Sequence, residues 1–199
     1  MTGKDERELS RGEEIADAAV PVFLRYGLRK TSMDDLAAAA GLSRQGLYLH
    51  FRNKQQIFHA ALQRVVARTQ ATVAQELARA DRPARERLLS AFTALHGPAA
   101  TATSEGLNEL LTAAHTVGDS LMRDLERSVV DALAAVLHAE GAPERTGISA
   151  EDLAWQMLAI AAGVKHLTVP PEDRPRHIQV AITLVLGPPE QTPSRLDTP

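Results

Sequence analysis

Residues 43–54 read Ser-Arg-Gln-Gly-Leu-Tyr-Leu-His-Phe-Arg-Asn-Lys. If this stretch is wound as a helix at 100° per residue, Leu47 and Phe51 define an inward direction. Leu49 then points directly away, Gln45 lies about 40° from it, and Gly46 and Tyr48 flank the pair. An Arg guanidinium can donate two parallel hydrogen bonds to guanine, and a Gln amide can do the same to adenine. Arg44, at the exposed N-terminus, and Gln45 therefore have base-reading chemistry. Leu49, apolar yet outward, suits a thymine methyl, and Gly46 lets one backbone approach another. Tyr48, His50, Thr31 and Lys54 are of types that hold phosphates, which fixes position without reading sequence. Lys54 also opens a following helix whose first amides attract an anion. Thr31 or Ser32 can cap a preceding helix and Ser43 this one, and the candidate DNA-contacting set is Thr31, Ser32, Ser43, Arg44, Gln45, Gly46, Tyr48, Leu49, His50 and Lys54.

Other chemistries find no footing. The chain has no Cys, so disulfides, thiol catalysis and thiolate metal sites are excluded. No two of its 7 His residues are three or four apart, which argues against a metal site, and no cofactor is implied. Gly41 and Gly46 have phosphate-loop spacing, but Leu47-Tyr48 follows where Lys-Ser/Thr is required. There is no nucleophile elbow and no identifiable carboxylate pair, so enzyme activity has no positive support. No apolar run approaches the ~20 residues of a membrane span. The opening MTGKDERELS lacks the apolar region of a signal peptide, and a cytoplasmic protein is expected.

Charge supports the polyanion reading locally. The 199 residues carry 22 Lys+Arg against 25 Asp+Glu, a net of −3. Between Arg25 and Lys54 lie six cations and two anions, a local +4 that leaves −7 for the rest. A basic patch on an acidic body can meet nucleic acid at one face while the body resists coating it.

The elements that must position these residues read as helices throughout. Apolar positions recur at helical spacing between turn signals, and no convincing strand appears. The first helix is expected from Arg11 to Tyr26, with Ile15, Ala18, Val22, Phe23 and Tyr26 on one stripe. Ser10 and Glu13 would form its capping box, Gly27 would end it, and Pro21 should kink it near Asp17. Two short helices follow, Ser32–Ala40 and Ser43–Phe51. Asp34 and Asp35 sit in the favourable first turn of the former, and Gly41 suits a left-handed corner. Such a pair is the helix-turn-helix geometry. Further helices are expected over about 54–79, 83–96, 104–117, 119–140, 149–169 and 174–186, making about nine in all. The tail from Gly187, with four prolines, reads as disordered.

The segment Arg29–Phe58, RKTSMDDLAAAAGLSRQGLYLHFRNKQQIF, resembles the DNA-binding domain of the TetR family of bacterial transcriptional regulators. The matching positions are Thr31, Leu36-Ala37, Gly41, Ser43, and Leu47-Tyr48 with Phe51 and Lys54, preceded by Val22-Phe23-Leu24-Arg25-Tyr26-Gly27. Pro21, Gly46 and His50 depart from the pattern. The resemblance covers roughly residues 10–60. It implies an all-α homodimer that binds a palindromic double-stranded DNA operator, usually as a repressor. It further implies a divergent C-terminal domain that takes a small-molecule effector and dimerises through its last two helices.

The expected organisation is thus a flexible arm (1–9), a three-helix DNA-binding domain (10–56), a ligand-binding and dimerisation domain (57–187) and a Pro-rich tail (188–199). Ile160, Ala161, Val164 and Leu167 make one stripe, and Ile178, Ala181, Ile182 and Val185 another. Paired across a two-fold axis they would form a four-helix interface, unless both stripes pack on their own chain. Candidate pocket liners for a largely apolar effector are Leu62, Val66, Phe92, His96, Leu107, Leu111, His115, Met122 and Trp155. Each has a plain core role as its alternative. The rival to a regulator is a helical interaction or carrier module without DNA function.

Overall fold

A computed structural model describes residues 3–96, 119–164 and 170–188. The described chain is all-helical: α1 (Gly3–Lys30), α2 (Met33–Ala39), α3 (Arg44–Tyr48), α4 (Lys54–Leu77), α5 (Ala84–His96), α6 (Asp119–Ala139), α7 (Ala142–Thr146), α8 (Ala150–Val164), a 3₁₀ turn (Pro171–Asp173) and α9 (Arg174–Leu186). The helix expected over 104–117 lies outside the described residues, as do 165–169 and the tail from 189. The described residues group into two compact units, 3–73 with 94–96 and 119–129, and 74–93 with 130–164 and 170–188.

The first unit closes around one apolar cluster. Ile15, Ala19 and Phe23 of α1 meet Leu36 and Ala37 of α2, Leu47 of α3, and Ile57, Phe58 and Ala61 of α4. Phe23 and Phe58 pack edge to face, 5.3 Å between centroids, a favoured aromatic geometry. Truncating one such core side chain to Ala typically removes about 2–5 kcal/mol. Arg64 of α4 adds a polar link, donating to both carboxylate oxygens of Asp17 on α1 at 3.2 and 2.9 Å. Arg68 reaches the same carboxylate at 3.2 Å.

Four readings of α1 change. The helix begins at Gly3, so Ser10 and Glu13 lie within it rather than capping it. The preceding Lys-Asp-Glu-Arg-Glu-Leu is built of helix formers with acids at the start, which extends the helix past the expected cap. Dihedrals stay helical through Pro21, and the break falls at Gly27 (φ 75°, ψ 169°), where glycine alone is unstrained. Tyr26 turns to solvent with the Arg25 guanidinium over its ring, and Ala16 and Ala19 bury in its stead.

In the second unit, α8 and α9 pack together through Leu153, Ala154, Met157, Ala161 and Val164 on one side and Ile178, Ala181 and Ile182 on the other. Arg85 of α5 donates to the hydroxyl of Thr183 and the carbonyl of Gly187, fastening the end of α9. Gly141-Ala142-Pro143, which reads as the stop of the preceding helix, opens the short α7. Pro143 near its start is equally a helix-opening signal, since the missing N–H falls where none is needed.

Candidate nucleic-acid interface

The geometry begins with caps. Ser32 Oγ accepts from the Asp35 amide at 3.2 Å while Asp35 Oδ2 accepts from the Ser32 amide at 2.9 Å, a reciprocal box that starts α2. The Ser32 hydroxyl donates to the same carboxylate, and this hydroxyl and the Ser32 amide hold Asp35 below the ordinary carboxylate value. At the other end, the Leu42 amide donates to Ala37 O and the Gly41 amide to Ala38 O, with Gly41 at φ 65°. Crossed bonds of this kind close a helix with a left-handed residue. Ser43 then caps α3, its Oγ accepting from the Gly46 amide at 3.0 Å. Asn53 caps α4 through the Gln56 amide at 2.9 Å.

These devices fix what α3 presents. Leu47 is fully buried, while Leu49 at the helix's C-cap is 82% exposed. Arg44, Gln45, Tyr48 and His50 are also exposed, and Gly46 is half-exposed. An added Cβ at Gly46 would sit 3.3 Å from Ser43 Oγ, so the glycine relieves crowding at the cap. The Arg44 guanidinium lies 5.8 Å from the Tyr48 ring centre and donates to Asp34 Oδ2 at 2.9 Å. Tyr48 first and Asp34 second raise the Arg44 guanidinium above its ordinary value, leaving it firmly charged.

Three of the expected contact residues have hydrogen-bond partners within the chain. Thr31 is buried, and its hydroxyl donates to Gly27 O at 2.6 Å, which ties it to the end of α1. Lys54 Nζ donates to Arg29 O and Thr31 O, both at 2.9 Å. The ammonium thus holds the end of α1 against the start of α4, where the carbonyls of a helix end attract a cation. Ser32, itself exposed, engages its hydroxyl and amide with Asp35. Asp34 was read only for its place in the first turn of α2; its grip on Arg44, ten residues on, has no local sequence signal.

Of the pocket candidates, Leu62 packs on the first unit's apolar cluster, Val66 and Phe92 are buried, Met122 is half-buried and Trp155 is on the surface. The His96 side chain and Leu107, Leu111, His115 and Leu167 lie outside what is described. Ala161, Val164, Ile178, Ala181 and Ile182 are buried by their own chain, and Val185 is half-buried. Within the protomer these stripe residues are thus covered by their own chain. Ile160 remains exposed, joined by Trp155 on α8 and by Val180 and Leu184 on α9. Among the described residues no cluster of three or more His, Cys, Asp or Glu could hold a metal ion. None of the described helices is long and apolar enough to cross a membrane.

Residues 15–61 match the family described as bacterial regulatory proteins, tetR family. The resemblance to the TetR family is carried by this N-terminal segment. An HTH-type transcriptional activator, FasR of Mycolicibacterium smegmatis, is 38% identical over 91 residues, 46% of this chain and 39% of that protein. The curated relatives are matched over only 23–39% of their own lengths. Solved structures extend the likeness of fold across the chain. A transcriptional regulator from Rhodococcus sp. Rha1 superposes with a TM-score of 0.68 at 24% identity, covering 88% of this chain and 95% of the other. SmeT in complex with triclosan gives 0.62 at 22% identity, covering 96% and 98%; SmeT is the repressor of a Stenotrophomonas maltophilia multidrug efflux pump. The chain therefore shares its fold with these regulators.

Proposed function

We propose that the protein is a homodimeric transcriptional regulator whose α3 helices read two half-sites of a palindromic operator and which a small molecule releases. The observation carrying this reading is α3 itself. A short helix anchored by a fully buried Leu47 turns Arg44, Gln45, Tyr48 and Leu49 outward together, within a segment of local charge +4. A carrier or interaction module has no use for that combination. Arg44 and Gln45 are the base readers, Leu49 the apolar contact, and Tyr48, His50 and Ser43 the backbone contacts. The TetR-family match over residues 15–61 supports the same assignment.

Two half-sites require two recognition helices, hence a dimer. The second unit leaves large apolar side chains exposed for it: Trp155 and Ile160 on α8, Val180 and Leu184 on α9, with open space where a Gly163 side chain would be. That SmeT is found with triclosan supports an effector, and the sign of regulation is proposed as repression by the same comparison. Effector coupling of ~1–3 kcal/mol would weaken operator binding by roughly 5- to 150-fold. The helix α4 is the natural lever, since it starts at the Lys54 clamp and runs for 24 residues, about 36 Å.

The test is selection of short duplexes from fragmented source-genome DNA at about 150 mM salt, where phosphate contacts alone give little affinity. Recovery of one or a few palindromes is expected. Folded protein that enriches nothing at either moderate or low salt would overturn the reading in favour of a carrier module.

A further inference from the structure

The pairing of Asp34 with Arg44 is not explained by folding. Asp34 is exposed on the first turn of α2, and the cap there is completed without it, by Ser32 and Asp35. Asp34 and Asp35 are the only anions between Arg25 and Lys54. Asp35 is engaged with Ser32, which leaves Asp34 as the negative charge set against the reading helix. Its Oδ2 takes one Nη1 hydrogen of Arg44 at 2.9 Å, and the Tyr48 ring flanks the guanidinium. Both partners remain more than half exposed, so as a stabilising ion pair it is weak.

We infer that Asp34 is a specificity-determining residue, an internal competitor that keeps Arg44 from serving non-operator phosphates. This inference rests on the DNA-binding reading above. A guanidinium has five N–H donors in a fixed fork, and Asp34 uses one. The others can still meet guanine O6 and N7, which carry no formal charge. A phosphate seeking Arg44 must either displace the carboxylate or settle within a few ångströms of it, where like charges repel. The carboxylate therefore penalises the phosphate-bound state of Arg44 more than the base-bound state. Specificity is a difference of affinities, and a repulsive element aimed at the wrong partner raises it without a new attractive contact.

The experiment measures affinities of the full chain for its selected duplex and for a scrambled duplex of equal length, between 50 and 200 mM salt. Wild type, Asp34→Asn, Arg44→Ala and the double variant are compared, with folding checked by circular dichroism. Asp34→Asn is expected to tighten scrambled-duplex binding about three- to tenfold and to steepen its log–log salt slope by about 0.9, one added phosphate contact. Affinity for the selected duplex should move by less than about threefold, so discrimination falls. In the Arg44→Ala background the effect on scrambled DNA should vanish. Equal shifts on both duplexes, or the same Asp34→Asn effect without Arg44, would reduce Asp34 to a generic charge and overturn the inference. So would lost affinity for the selected duplex with scrambled binding unchanged, which would make Asp34 a positioning residue instead. If wild type shows no preference between duplexes, the DNA-binding reading falls and takes this one with it. Preference retained with parallel shifts removes this inference alone.

Discussion

Gln45 and Lys54 are both polar residues of the same segment, and their surroundings assign them opposite kinds of work. Gln45 is exposed on the outer side of α3, where a side-chain amide is free to address a base edge. Gln45→Ala should relax preference at one base pair of each half-site, worth about 1–3 kcal/mol there, with the salt slope unchanged. Selection of duplexes by the variant would show the degenerate position. Lys54 is turned inward onto Arg29 O and Thr31 O. Hydrogen bonds to a charged donor contribute roughly 1.5–3 kcal/mol each when partly buried, so Lys54→Met should lower the thermal midpoint and weaken every duplex alike. If Lys54 instead held phosphate, the variant would leave the midpoint alone and flatten the salt slope by about 0.9. The two measurements together decide between clamp and contact. Sequence could not make this distinction, because a lysine at a helix start fits either task until the carbonyls of α1, twenty-odd residues earlier, are known to lie beside it.

At the scale of elements, what was legible followed from local chemistry. The cap ahead of α2, the glycine corner at Gly41, the cap at Ser43 and the inward Leu47 all act within a few residues, and all place α2 and α3 within a residue or three of where spacing put them. What was not legible depends on distant partners: Tyr26 lost its place in the stripe, and α7 needed Pro143 to be read as an opening rather than a stop. The α1–α4 cross-link is of the same distant kind, and it makes a pH-dependent prediction. The hydrogen bonds from Arg64 outweigh the opposing effect of burial, and Arg64 and Arg68 add charge attraction, so Asp17 titrates below the ordinary carboxylate range. A carboxyl whose value is depressed on folding stabilises the fold above its unfolded value near 4, and that contribution fades as pH falls through the folded value. Asp17→Asn should therefore lose at most about 1 kcal/mol at pH 7, a modest amount because the partners stay partly solvated. The gap between wild type and variant in urea unfolding should close as pH drops below about 4; a gap that persists in acid would mean Asp17 acts through packing rather than charge. Gly41→Ala offers an uncharged comparison. Its φ of 65° suits glycine, and the left-handed conformation disfavours a Cβ by roughly 1–2 kcal/mol, so this variant should be destabilised equally at every pH.

The whole molecule turns on which apolar residues are left over once each unit has closed. Periodicity identifies a stripe but not its partner, and on α9 the stripe Ile178, Ala181, Ile182 and Val185 turns inward within the second unit, most of it fully buried. Val180 and Leu184, one turn apart on the opposite side, stay exposed, Leu184 to 75%. Large apolar side chains left uncovered together mark an interaction surface. If that surface is the dimer seam, Leu184→Glu should break association while sparing the protomer, because a charge placed there meets only solvent in the monomer. Light scattering should then report half the mass, the circular dichroism of a folded helical chain should persist, and operator affinity should fall steeply because each half-site would bind alone. Ala181→Glu should behave differently: it forces a charge into the packing between α8 and α9, leaves it without a partner, and should unfold the second unit at any concentration. A Leu184→Glu protein of unchanged mass would move the seam off this face. If both variants lost mass and helicity together, α8 and α9 would be stable only within the dimer, and association and folding would be one event.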